Sequence, residues 1–499
     1  MTRIWRICGR FIACMVLAAG VGVLSGCGAA RDVEPVRLDG VADLQRLPQN
    51  AAAYLPPKAT EPLVSLEAQQ EMYTRFLQRF FAPWLATGPS FTAADAFWGT
   101  SVFGARTGYA ENLQPWSLAR WEALVAMQRS DAYPSLSRRA IVTRNASFRV
   151  MPTDKPFFYN PSNAGEGYPF DYMQNSAVWI GTPVLVTHVS ADGAWYFAEA
   201  GHVSGWLPAD AFGWADEAFC IAYRNGAYAA VVRDGTLLRT REGAFAGVAH
   251  IGAVFPLVPA AEAVPGTESG GQQLSGGIDS TGSSPEGTTR EGMADASGVV
   301  AAPLTVFVPA RDVAGNAVMV LAELSASAAG RLPLRLTAQA VATIANGMMG
   351  QLYGWGGMLE NRDCSAAMRD MLTVFGVWLP RNSAQQGRRG GTLVSLEGMT
   401  VAGKRDIILE QGIPFYSLIW FRGHIGLYLG QDAQTGEPLL LHSVWGARTQ
   451  WEGREGRAVV GRTVITTVRF AEERSDVSRD WFYDRMMGLV VLPFGGQRR

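Results

Sequence analysis

The sequence predicts a multidomain α+β protein: a small helical domain, two small all-β barrels, and a C-terminal domain in which helices precede an antiparallel sheet. Three observations predict it. Before residue 135, apolar residues recur at three- and four-residue steps; in the middle of the chain, short apolar runs alternate with turn residues; after residue 331, two helical stripes lead into alternating strands. At 499 residues the chain has room for three or four domains, each with its own core.

Hydrophobic residues make up 48% and charged residues 17%, an ordinary globular balance. The formal net charge is -1 and there is no basic tail or Lys/Arg cluster, which argues against a nucleic-acid partner. At the N-terminus, Arg3, Arg6 and Arg10 precede the apolar run Phe11 to Leu24. That run is short of the roughly 20 residues a membrane span needs, and it reads as a secretory signal. It ends in Leu24-Ser25-Gly26-Cys27, which resembles a bacterial lipobox and implies lipidation of Cys27. The expectation is an exported, lipid-anchored, periplasmic lipoprotein; Gly28, where Asp is absent, favours the outer membrane of a two-membrane host. Cys8 and Cys14 then leave with the signal, so Cys220 and Cys364 remain as thiols. Cys220 reads as core, and Cys364, flanked by polar residues, as a free thiol.

After the signal (1–27), residues 28–60 read as a polar tether and 61–135 as the helical domain, with Leu66, Met72, Phe76, Leu77 and Phe80 forming one stripe and Trp121, Leu124 and Val125 another. The first barrel occupies 136–212, with strands expected at Ala140 to Thr143, Val178 to Ile180, Val184 to Thr187, Trp195 to Ala198 and Gly205 to Leu207. The second covers 213–330, with strands at Cys220 to Tyr223, Tyr228 to Val232, Thr236 to Arg239, Ala253 to Leu257 and Thr305 to Pro309. A Gly/Ser/Thr-rich insert at 260–300 has no aromatic residue and reads as a mobile loop. In the last domain, 331–499, helices are expected at Leu336 to Met349 and Cys364 to Phe375, with Gly376 as stop. Strands follow at Leu418 to Phe421, His424 to Leu429, Leu439 to Val444 and Val459 to Val468.

The chemistry concentrates in this last domain. A cysteine at the first turn of a helix meets unpaired backbone N–H groups that favour a thiolate, and a nearby imidazole both lowers the thiol pKa and protonates a leaving amine. His424 opens an alternating strand, with Gly426 and Tyr428 expected on its face and Ile425, Leu427 and Leu429 in the core. His442, on the neighbouring strand, can accept the other ring N–H of His424. Tyr353-Gly354-Trp355-Gly356-Gly357, Arg362-Asp363-Cys364-Ser365, Leu379-Pro380-Arg381-Asn382-Ser383 and His424 to Gly430 with His442-Ser443 together resemble the NlpC-type family of cell-wall cysteine peptidases over about residues 335–470. The Gly-Asp pair common before the family's histidine strand is missing at Pro414 to Leu418, the mark of a divergent branch. The resemblance implies a papain-like domain with Cys364 as nucleophile, His424 as base and His442 in the third catalytic position. It also implies Tyr353 beside the nucleophile, Asp363 and Ser365 on the free amine of the substrate's first residue, and Arg381 and Asn382 as loop supports.

Arg149 to Thr153, Phe170 to Gln174 and Gly205-Trp206 resemble the bacterial SH3-like barrels of one subgroup of this family, and the helical segment resembles that subgroup's clip domain. In such relatives a barrel wall closes one end of the groove. The resemblance therefore implies cleavage of peptidoglycan stem peptides or muropeptides between γ-D-glutamate and the diamino acid, where L-Ala has a free amine. No cofactor is implied. No metal site is expected at His188, His202 or His250, which lack partners at ligand spacing. The chain is read as a monomer. An amidase or acyltransferase on the same scaffold, and a wall-binding lipoprotein with a vestigial catalytic domain, are the competing readings.

Overall fold

The computed structural model describes residues 40–259 and 302–493. The expectations for the signal, for Cys27 and for the insert 260–300 lie outside the described residues. Among the described residues no helix is long and apolar enough to cross a membrane.

The tether expected over 28–60 is contradicted from residue 41 onward. Val41, Leu47 and Ala51 are buried. Asp43 accepts from the backbone N–H and the hydroxyl of Thr467 at 2.7 and 2.8 Å. The Gln49 amide both accepts from and donates to the main chain of Ile465, each at 2.9 Å. The physical reason is an exposed sheet edge: Ile465 and Thr467 belong to the outermost strand of the C-terminal sheet, whose free backbone groups need partners. A polar segment with widely spaced apolar residues serves as edge cover.

In the helical domain, Ser65 caps the helix Leu66–Phe80 through a bond from the Ala68 N–H at 3.2 Å, and Met72, Tyr73 and Phe76 face inward. Leu66 is exposed, outside the expected stripe, because it is the first residue of that helix. Gln69 is buried and donates to the Leu334 and Phe375 carbonyls, at 2.6 and 3.2 Å, tying this helix to the C-terminal domain. The second helix, Leu118–Met127, packs Trp121, Leu124 and Val125 around Phe157 of the first barrel.

The first barrel is a seven-stranded antiparallel sheet in the order β3-β2-β6-β5-β4-β1-β7, where β1 is Arg138–Val142, β2 Ala146–Arg149, β3 Gln174–Val178, β4 Pro183–Val189, β5 Trp195–Glu199, β6 Ser204–Pro208 and β7 Phe212–Trp214. Its interior is apolar, with Ala140, Val142, Phe148, Val184, Val186 and Leu207 buried together. The second comprises β8 Tyr228–Val231, β9 Thr236–Arg239, β10 Phe245–Ala249, β11 Val254–Pro256, β12 Leu304–Arg311, β13 Ala317–Leu324 and β14 Ala329–Leu332. The strand expected at Cys220 to Tyr223 is instead part of a helix, Glu217–Tyr223. Asp216 caps it by accepting from the Phe219 N–H at 2.7 Å, and Phe219 and Tyr223 stack one turn apart. An Asp before an apolar one-plus-four spacing is a helix signal that the β-prone residues obscured.

The C-terminal domain places the helices Ala338–Met348 and Cys364–Thr373 against a six-stranded antiparallel sheet ordered β15-β20-β16-β17-β18-β19. Here β15 is Thr392–Ser395, β16 Ser417–Phe421, β17 His424–Gln431, β18 Pro438–Trp451, β19 Arg454–Thr467 and β20 Met486–Val491. One-sided burial of β17 does not hold, because both its faces are covered. Ile425, Leu427 and Leu429 join the core under the helix Cys364–Thr373, and Tyr428 joins a second core formed with Ile408, Phe470 and Phe482.

Candidate active site

Cys364 is the first residue of its helix, and Asp363 caps that helix by accepting from the Ala366 N–H at 2.8 Å. Backbone N–H groups of Ile425 and Ser365 reach the Cys364 sulfur, which sets it against the start of β17. Burial nevertheless pushes the thiol up to about 12, and the Asp363 carboxylate adds to the shift. The thiolate expected from the helix terminus is therefore not the resting form: desolvation outweighs the terminal N–H groups.

His424 opens β17 inside an aromatic box, with Phe421 and Phe482 at ring-centroid distances of 5.9 and 5.6 Å. Burial, helped by the charge of Arg485, holds its imidazole down to about 3. The ring is thus neutral, and the bond pattern assigns its proton. The Thr466 hydroxyl donates to the Thr467 carbonyl at 2.8 Å, so its oxygen accepts from His442 Nε2 at 3.2 Å. His442 Nδ1 is then an acceptor, and it receives the Nε2–H of His424 at 2.8 Å. Nδ1 of His424 is left with its lone pair, as a base for a thiol requires. The threonine and the two imidazoles form one ordered relay.

A cavity of about 800 Å³ opens onto Cys364. Of the residues expected in the site, Tyr353, Asp363, Cys364 and Ser365 line it, while His424 and His442 are buried in the sheet on β17 and β18 and are not part of its lining. Burial raises the Tyr353 phenol well above its usual range, reinforced by the Asp363 carboxylate, so it remains an O–H donor. Burial works against the Asp363 carboxylate, but Arg381 beside it, at 2.7 Å, holds it below the usual range. Arg381 also donates to Ser365 Oγ at 3.0 Å and to Ser176 Oγ of the first barrel at 2.7 Å. Asp363 is thus already occupied by an internal cation.

The carboxylate with free capacity at the cavity is Glu199, at the end of β5. It is buried, it accepts only from the Ser90 N–H at 3.1 and 3.2 Å, and it has no cationic partner among the described residues. Desolvation raises its pKa, opposed by the Ser90 bonds. Sequence reasoning missed Glu199 and Thr466. A Glu closing a strand and a Thr inside one carry no motif, and only the barrel's docking and the strand register bring them to the site.

The first barrel forms the cavity wall through close backbone approach. Gly356 sits at φ +60°, and a Cβ there would lie 2.3 Å from the Gln174 carbonyl oxygen; at Gly357, φ +87°, it would lie 2.4 Å from the Ala177 nitrogen. Gln174 donates to the Gly356 carbonyl at 3.1 Å, and Phe170 packs edge-on against Trp355 at 5.3 Å. The glycine-rich lead-in is therefore a docking surface as well as the approach to Cys364. Among the described residues no group of three or more His, Cys, Asp or Glu side chains gathers as a metal site.

Residues 350–450 match the NlpC/P60 family model, residues 11–133 the N-terminal NLPC_P60 stabilising domain, residues 156–208 an SH3 domain of SH3b1 type and residues 216–262 an SH3 domain of SH3b2 type. The chain carries an N-terminal NLPC_P60 stabilising domain, two SH3b domains and a C-terminal NlpC/P60 domain. That C-terminal domain is the domain of a cysteine peptidase family of cell-wall hydrolases. Among solved structures the chain is similar to an NlpC/P60 endopeptidase from Photobacterium damselae subsp. piscicida, with 22% identity, a TM-score of 0.74, and coverage of 89% of this chain and 96% of that one. An NlpC/P60 family protein from Bacillus cereus shares 15% identity at a TM-score of 0.41, covering 71% of this chain and 100% of that one. NlpC2 from Trichomonas vaginalis shares 10% identity at a TM-score of 0.25, covering 72% and 98%. No curated protein matches the chain. The Photobacterium structure shows that the whole NlpC/P60 architecture, barrels included, recurs as one fold.

Proposed function

We propose that this NlpC/P60 protein is an endopeptidase that cuts peptidoglycan stem peptides between γ-D-glutamate and the diamino acid, with Cys364 as nucleophile, His424 as base and His442 as the group that orients it. The relay that leaves His424 Nδ1 unprotonated is the observation that carries this reading. Because thiol and imidazole are both neutral at rest, attack and proton transfer are coupled. The Cys364 sulfur bonds to the γ-glutamyl carbonyl carbon as its proton passes to His424 Nδ1. The Tyr353 O–H is available to the developing oxyanion. His424 then returns the proton to the leaving amine, the C–N bond breaks, and water attacks the thioester to release the acyl fragment and restore the thiol.

Selection for a free N-terminal L-Ala fits the wall of the cavity. Glu199 offers an uncompensated buried carboxylate to an ammonium, and an acylated amine would bring neither charge nor room. The test uses the full-length protein with L-Ala-γ-D-Glu-diaminopimelate and its N-acetylated counterpart, read by mass spectrometry. The free peptide is expected to release L-Ala-γ-D-Glu, the acetylated one to remain intact, and Cys364→Ala to abolish turnover. Equal cleavage of both peptides removes the amine selection. Intact substrate in both cases removes the endopeptidase and favours acyl transfer or wall binding.

A further inference from the structure

The leaving step determines which part of a substrate meets which part of the protein. The imidazole that protonates the departing nitrogen must stand beside it. The released fragment therefore lies against the start of β17, while the acyl fragment lies towards Asp363, Ser365 and the first barrel. The residues around the start of β17 are cationic. Arg422 follows β16 and Arg485 precedes β20, two strands paired through Phe421 and Met486. The Arg422 N–H donates to the Arg485 carbonyl at 2.7 Å, and Arg485 Nη2 donates to the Arg422 carbonyl at 2.6 Å. Gly423, between Arg422 and His424, lines the catalytic cavity, and Arg485 Nη2 lies 3.4 Å from where a Cβ on Gly423 would sit.

These two guanidiniums differ from those on the acyl side. Arg362, Arg369 and Arg381 are each bound to an aspartate at 2.7 Å. Arg422 and Arg485 have no carboxylate within ion-pairing distance among the described residues. The β18–β19 hairpin adds to the imbalance, because Arg448 and Arg457 share the single carboxylate of Glu455 and both act electrostatically on Arg485. Arg485 also acts electrostatically on His424, in keeping with its place beside Gly423.

We infer that Arg422 and Arg485 form a carboxylate-recognising lip for the leaving fragment, selecting substrates whose diamino residue ends in a carboxylate, diaminopimelate over lysine. The inference rests on the endopeptidase reading above. A guanidinium fork matches a carboxylate and repels an ammonium. Diaminopimelate carries a carboxylate at the far end of its side chain, where lysine carries only its ammonium.

The experiment compares kcat/KM of the full-length protein for L-Ala-γ-D-Glu-diaminopimelate, the same peptide with the side-chain carboxyl amidated, and L-Ala-γ-D-Glu-lysine. The wild type is expected to prefer the first by about tenfold or more. Arg485→Gln and Arg422→Gln are expected to erode that preference, lowering kcat/KM for the diaminopimelate peptide more than for the lysine and amidated peptides. Arg485→Glu is expected to invert the order, and this gain on lysine cannot come from misfolding. Equal rates of the wild type on all three peptides, or equal losses on all three in the variants, would overturn the lip. If the wild type cleaves none of them, the endopeptidase reading itself has failed, and the inference goes with it.

Discussion

At Thr466 one hydroxyl settles which nitrogen of His424 is bare. Its own proton is spent on the Thr467 carbonyl, so its oxygen can only accept, and the direction of both imidazole bonds follows. Thr466→Val removes that acceptor and frees His442 to turn its tautomer round, which would place a proton on the nitrogen that must accept one. The expected result is a fall in kcat of roughly 10- to 100-fold with KM unchanged, smaller than the ~10⁴ that follows when the buried orienting carboxylate of a serine triad is neutralised. Thr466→Ser, which keeps the hydroxyl, should restore most of the rate; a serine variant as slow as the valine variant would mean that Thr466 only packs. Cys364, His424 and His442 could be proposed from the sequence because their chemistry is tied to motif and spacing. Thr466 was not: its role depends on β19 lying beside β18 in a register that sets His442 opposite Val464, so that Thr466 becomes the diagonal neighbour on the same face.

Elements show the same division between local and non-local information. The helix Cys364–Thr373 and strands β16 to β19 follow from periodicity and stop signals, and they lie near their expected positions. The edge-covering segment from Val41 was not legible, since what it covers is more than 400 residues away in the chain and its polar side chains replace a strand's hydrogen bonds. The glycines before Cys364 were legible as a motif but not as a contact. Gly356→Ala tests the contact: the left-handed conformation and the approach to the Gln174 carbonyl should together cost roughly 1–3 kcal/mol. It should also push the barrel wall away from the groove. Thermal unfolding should drop by a few degrees, and discrimination between free and N-acetylated stem peptides should weaken. An unchanged melting temperature and unchanged discrimination would show that the lead-in is not what holds the wall.

Across the whole molecule, three domains meet in one charged knot just ahead of the nucleophile. From the second barrel, Asp234 pairs with Arg362 at 2.7 Å, and Arg362 reaches Asp370 of the nucleophile helix at the same distance. From the first barrel, Trp179 donates to Asp370 at 3.0 Å and Asn145 donates to Glu360 at 3.1 Å. His250 of the second barrel closes the knot, with Nε2 at 2.7 Å from Glu360 and Nδ1 at 3.4 Å from Asp234. Burial pulls the His250 pKa down, but the two carboxylates outweigh it and hold it up to about 9. A pKa raised above the unfolded value of about 6.5 contributes stability that is complete below that value and is lost as pH rises through about 9. The contribution amounts to about 2 kcal/mol once the exposure of Glu360 is allowed for. Melting curves of wild type and His250→Gln should therefore differ by several degrees at pH 6 and converge by pH 10. A gap that stays constant across that range would mean that His250 is neutral in the folded protein and joins the domains by shape alone. Convergence would mean that the alignment of both barrels with Cys364 is held partly by a proton, and that alkaline conditions loosen the groove before they affect the relay.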